Sequence, residues 1–204
     1  MPLFQKKMPN RKAWQKTLSR SLGRDAAKQL VHRVQEDYLA LLAGAGKFPN
    51  RALQKTHLET NILPTLALYR ALIGDGMEQD DAIALTEQCL DVVAQQQRRR
   101  FQALARTPLF FKALKRVLRP SMARNFPAPG FTIEWPALGE NETGFNIRGC
   151  FYVNVLGEFG APELVSLFCN VDDVVFENTP GVQWKRENTI GRGGEYCDFR
   201  YIKK

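Results

Sequence analysis

Apolar positions along the first 120 residues recur at steps of three and four, the spacing of one face of an α-helix. Between Asp25 and Ala43, the residues Leu30, Val34, Tyr38, Leu41 and Leu42 share such a face, and Gly44 and Gly46 mark its end. From Leu53 to Ile73 the pattern repeats at Leu58, Ile62, Leu66, Tyr69 and Ile73. Pro64 lies inside that run and predicts a kink or a break into two helices, because proline lacks an N–H and clashes with the preceding turn. A third helix is predicted from about Glu78 to Ala105, with Ala82, Leu85, Cys89, Val92 and Val93 inward. A fourth starts at Thr107-Pro108, a cap residue followed by proline at the first helical position, and carries Phe110, Phe111, Leu114, Val117 and Leu118. Pro120 is expected to stop it.

After Pro127 the period changes. Phe131 to Trp135 alternates with period two between Pro and Gly and predicts a strand. Phe145 to Leu156 predicts a longer strand, with Phe145, Ile147, Gly149, Phe151, Val153 and Val155 on one face. Pro162 to Cys169 predicts a short helix, and Val182–Glu187 and Tyr196–Ile202 predict two more strands. Helices first and strands later define an α+β protein, a helical N-terminal part packed on a C-terminal antiparallel β-sheet. The expected organisation is a basic N-terminal segment over residues 1–22 and one α+β domain over 23–204, helical over 23–120 and strand-rich over 128–204.

Composition excludes a disordered or low-complexity chain: 44% of the 204 residues are apolar, and the Gly and Pro residues follow no period. No apolar run reaches the roughly 18 residues of a spanning helix, and no secretory leader is visible, so a cytoplasmic protein is expected. The net charge of +8 is unevenly placed. Residues 1–127 carry 22 basic and 10 acidic side chains, and residues 128–204 carry 7 and 11. A solvated helical surface explains the basic half better than nucleic-acid binding, since no groove-reading motif accompanies the charge. A membrane-surface stripe of Leu3, Phe4, Trp14, Leu18 and Leu22 is a further reading of the first segment. Residues 1–22 are otherwise expected to bury little.

Four cysteines occur, and a reducing compartment predicts free thiols. Cys89 sits on an apolar helical stripe and reads as core. Cys150, Cys169 and Cys197 fall in the strand-rich part, with Glu163, Asp172, Asp173 and Asp198 close in sequence. Three readings compete: buried thiols, a metal site or a nucleophile. No close Cys pair of the zinc type is present, and Cys169-x-x-Asp172 is only a mixed pair, so neither metal nor cofactor is expected. A nucleophilic thiol needs a base or cation to hold it deprotonated. Only His32 and His57 exist, and His57 lies on an apolar helical face. The run Thr189 to Tyr201 is Gly-rich but fits neither a phosphate loop nor a dinucleotide fingerprint, and reads as a turn into the last strand.

Several motifs in order resemble the L-2-amino-thiazoline-4-carboxylic acid hydrolase family. They are Ala161-Pro-Glu-Leu164, Phe168-Cys-Asn-Val-Asp-Asp173, Trp184-Lys-Arg186 and Thr189-Ile-Gly-Arg-Gly-Gly-Glu-Tyr-Cys-Asp-Phe-Arg200, with Phe145-Asn-Ile-Arg-Gly-Cys150 and Ile62 to Tyr69 in support. Where the family pattern has cysteine and histidine, this chain has Ala161 and Asn170. The resemblance implies a hydrolase that opens a cyclic amidine by adding water to the ring carbon between two nitrogens and a sulfur, giving an N-carbamoyl amino acid. The alternative is a non-catalytic small-molecule binding or regulatory module of the same fold. The catalytic candidates are Cys169, Asp172, Cys197 and Glu163. A substrate carrying a carboxylate calls for a cation, so Arg186, Arg148 and Arg192, with His57 and Cys150, are the binding candidates. Cys169, Asp172 and Cys197 are expected to face one pocket, with Arg186 near its mouth and framed by Trp184. A homo-oligomer remains compatible with this reading.

Overall fold

A computed structural model describes residues 6–204. They fall into two compact units, one ending at Val93 and the other running from Ala94 to Lys204. The helices come first and an antiparallel sheet later, so the chain is α+β. Among the described residues no helix is long and apolar enough to cross a membrane.

The first unit contains α1 (Arg11–Leu22), α2 (Arg24–Gly44), a π-helical segment (Ala52–Ile62), α3 (Leu63–Gly74) and the first part of α4 (Gln79–Ala105). The run through Pro64 does divide, but at Ile62, and its first half is wound as a π-helix. Leu53, Leu58 and Leu63 are buried at steps of five. That is the step of an i→i+5 ladder, and the Leu63 amide accordingly donates to the Leu58 carbonyl. Pro64 then sits in the first turn of α3, where it donates no backbone bond to the π-helical turn behind it, and the Glu59 carbonyl in that turn accepts from the Tyr38 hydroxyl at 3.1 Å instead. Residues 63–69, 71 and 72 of α3 are all buried, so most of its circumference is covered, and Arg70 is exposed. Ile73, expected inward, is exposed near its end.

The expectation that residues 1–22 bury little is overturned. Trp14 and Leu18 are fully buried where α1 packs on α2. That contact also withdraws both from any membrane-facing stripe; Leu3 and Phe4 lie outside the described residues. The chain ahead of α1 is tied down too. Gln35 accepts from the Met8 amide at 2.7 Å and donates to the Lys6 carbonyl at 3.0 Å. Lys6 also pairs with buried Glu59. Burial alone would raise the Glu59 carboxyl, but hydrogen bonds from Lys6, Gln54 and Lys55 hold it below the usual range.

The second unit holds α5 (Phe110–Asn125), β1 (Thr132–Glu134), β2 (Glu142–Gly149), α6 (Phe151–Glu158), α7 (Val165–Phe176), β3 (Val182–Lys185) and β4 (Cys197–Lys203). The sheet order is β1-β2-β4-β3, antiparallel throughout. α5 runs through Pro120 instead of stopping there. Leu114, Leu118 and Met122 carry one buried stripe past the proline, whereas Val117 is exposed. The predicted strand from Phe145 to Leu156 ends at Gly149, and its remainder is α6. Phe151, Val155 and Leu156 are buried at helical spacing, and this outweighs the alternation of the same residues. The short helix predicted over Pro162–Cys169 is a 3-10 turn (Pro162–Leu164) that continues into α7 as far as Phe176.

Aromatic side chains fix α7 to the sheet. Phe176 lies 5.0 Å from Trp184 and 5.4 Å from Tyr201 between ring centres, and Phe145 stacks on Phe199 at 4.6 Å. At Gly144 a β-carbon would stand 1.9 Å from the Phe199 carbonyl oxygen, so only glycine lets β2 and β4 approach.

Candidate active site

Three elements of the second unit bring chemistry together. Cys169 and Asp172 lie three apart on α7, hence on one side of it. Arg186 follows β3 immediately, and Cys197 opens β4. Cys150 precedes the first residue of α6.

Arg186 is the hub. Its side chain is only 1% exposed, so it is the centre of the cluster and not its mouth. Its Nη1 donates to Asp172 Oδ2 at 3.2 Å, and its Nη2 donates to the Cys169 carbonyl at 2.6 Å. Nη2 also lies 2.7 Å from Asp173 Oδ2. The guanidinium faces the Phe199 ring at 5.3 Å and the Trp184 ring at 5.7 Å. A buried charge without partners is prohibitive. Here two carboxylates and two aromatic faces compensate it, and its own pKa is raised by Asp172 and Asp173 despite burial.

The two carboxylates titrate in opposite directions. Desolvation pushes Asp172 up to about 6, with the Asp173 charge adding to the rise and Arg186 opposing it. Asp173 is also partly desolvated, but hydrogen bonds from Arg192, Arg186 and Trp184 hold it below the usual carboxylate range. Arg192 Nη2 reaches Asp173 Oδ2 at 2.7 Å and Asn170 Oδ1 at 2.5 Å. About half of the Arg192 side chain is exposed.

All four cysteines are free. Burial pushes Cys197 up to about 12 and Cys150 up to about 11. The Val153 and Tyr152 amides of α6 offset part of the Cys150 rise. Cys169 is raised by burial as well, but Arg186 is the strongest influence in the other direction. Cys150 feels Cys169, and Cys197 feels both Cys169 and Cys150, so the three sulfurs share one electrostatic environment. Two of them touch the 3-10 turn Ile190–Arg192: Cys197 Sγ accepts from the Ile190 amide at 3.3 Å, and Cys169 Sγ packs against Gly191.

Glu163 stands half-buried on the 3-10 turn ahead of α7, where its carbonyl accepts from Ser166 Oγ at 3.2 Å, and the charges that act on Cys169 are those of Arg186 and Asp172. Arg148 pairs through Nε with Glu134 Oε2 at 2.8 Å and lies over Tyr196 on the surface. His57 belongs to the first unit, buried in the π-helical segment. Among the described residues no group of three or more His, Cys, Asp or Glu is placed to hold a metal ion. Thr189 and Gly191 were legible only as part of a glycine-rich turn; nothing in their spacing marks them as neighbours of Cys169.

A thiol, a carboxylate and a buried guanidinium thus meet on an α+β scaffold. The chain belongs to the L-2-amino-thiazoline-4-carboxylic acid hydrolase family, whose profile matches residues 55–201. The family's name is that of a hydrolase. No curated protein and no solved structure matches the chain.

Proposed function

We propose that this chain hydrolyses a small cyclic amidine of the L-2-amino-thiazoline-4-carboxylate kind to an N-carbamoyl amino acid, with Cys169 as nucleophile and Asp172 as proton carrier. The observation that carries the proposal is the position of Arg186, which is bonded both to Asp172 and to the backbone of Cys169. It supplies the positive neighbour a nucleophilic thiol needs, and it aligns the carboxylate with the thiol.

The chemistry follows from the ring. Its C2 bears two nitrogens and a sulfur and is electrophilic once the amidine is protonated. The Cys169 thiolate adds to C2, and the ring C–S bond breaks. The departing sulfur takes a proton, for which Asp172 is poised because its pKa stands near neutrality. The chain then carries an isothiourea on Cys169. Water adds to the same carbon, the Cys169 sulfur leaves, and a urea, the N-carbamoyl group, remains.

The substrate carboxylate falls to Arg192. Both terminal nitrogens of Arg186 are committed to Asp172, Asp173 and Cys169, whereas Arg192 is half exposed at the end of the turn that carries Gly191. The test is product formation from the cyclic amidine, read as N-carbamoyl-cysteine, by the purified chain and by Cys169→Ala. Binding of the amidine without product would support the non-catalytic module instead.

A further inference from the structure

The turn Ile190–Arg192 is built against α7. At Gly191 a β-carbon would lie 2.8 Å from Cys169 Sγ, 2.9 Å from Val165 Cγ1 and 3.3 Å from the Ser166 nitrogen. Any side chain there would push the turn off both the sulfur and the helix backbone. Thr189, immediately before the turn, is 4% exposed, and its hydroxyl has no hydrogen-bond partner. An unpartnered buried hydroxyl is costly and needs a reason. The group it faces is the Cys169 thiol.

We infer that Thr189 and Gly191 form a recess that stabilises the Cys169 thiolate once it forms, the Thr189 hydroxyl then donating to the sulfur and the bare Gly191 letting the turn's backbone close on it. The inference rests on Cys169 being the nucleophile and adds the groups that activate it. Thr189 is a positioning residue and touches no substrate. The resting thiol is a weak acceptor, so the hydroxyl stands unpartnered; a thiolate is a strong one and gives it a partner. Arg186 alone is an incomplete counter-ion, because Asp172 and Asp173 already neutralise it. The other titratable groups that face the sulfur are Asp172 on α7 itself, Cys150 ahead of α6 and Cys197 on β4. None of the three is a cation, so none replaces the hydroxyl.

The experiment is the rate of Cys169 carbamidomethylation by iodoacetamide over about pH 6–10, followed by peptide mass spectrometry, since alkylation reports the thiolate. It needs no substrate. The full chain, Thr189→Val, Thr189→Ala and Thr189→Ser are compared. Loss of one hydrogen bond to a charged sulfur should slow Thr189→Val about tenfold at every pH on the rising limb of the profile, as an upward displacement by about one unit does. Thr189→Ala, which carries the same comparison should the valine not be accommodated, shows the same displacement. Thr189→Ser restores the parent profile. An unchanged profile in the valine or alanine variant overturns the recess. The two readings fail separately: turnover surviving in Cys169→Ala removes the nucleophile and leaves the alkylation shift standing, whereas an inactive Cys169→Ala with unshifted alkylation removes only the recess.

Discussion

Asp172 and Asp173 are neighbours in sequence, share one arginine and titrate in opposite directions. A carboxyl whose folded pKa is raised favours folding only while protonated. The Asp172 contribution is therefore present below the ordinary carboxylate range and is lost as pH rises through about 6. Asp173, held low, contributes in the opposite sense: its stabilisation is present above the ordinary range and is lost as pH falls. Removing the Asp172 titration isolates the first effect. Between about pH 4 and pH 7 the melting temperature of the parent should fall relative to that of Asp172→Asn. A difference that stays constant with pH would show that Asp172 titrates as an ordinary exposed acid. Arg192 has a different signature. Because it is assigned to binding and not to bond making, Arg192→Ala should raise KM about tenfold or more while kcat changes little, as loss of a carboxylate contact does. The sequence made Cys169, Asp172 and Arg186 readable, because two acidic residues in a row beside a thiol call for a cation. Thr189 was not readable: its role depends on the close approach of a turn to a helix, which no spacing in one segment encodes.

At the scale of elements, α1 and the β2–β4 pairing carry the sharpest expectations. Trp14 is 1% exposed, so Trp14→Ala should destabilise by about 3–5 kcal/mol in denaturant titration. Its indole N–H has no partner, so Trp14→Phe should be tolerated much better. Equal losses for the two would mean that a phenyl ring does not fill the site that the Trp14 indole packs. Gly144→Ala would place a methyl against the Phe199 carbonyl and should separate β2 from β4, read as a loss of cooperative unfolding or of soluble protein. Helices of the first unit were legible because an apolar face repeats over many turns. α6 was not, since over Phe151 to Leu156 periods of two and of 3.6 fit the same few residues. Nor was the π-helix, whose buried Leu53, Leu58 and Leu63 are equally compatible with a looser α-helical stripe.

For the whole molecule, the family match begins inside the π-helical segment of the first unit and ends within β4. The thiol site belongs to the second unit alone. Cys150 and Cys169 are half-buried, while Cys89 and Cys197 are buried. The most direct measurement of the central claim follows the purified chain with L-2-amino-thiazoline-4-carboxylate by mass spectrometry of both product and intact protein. N-carbamoyl-cysteine is expected from the parent, none from Cys169→Ala, and a transient substrate-sized mass on the peptide containing Cys169. Product formed equally well by Cys169→Ala, or no product from the parent, would contradict that claim.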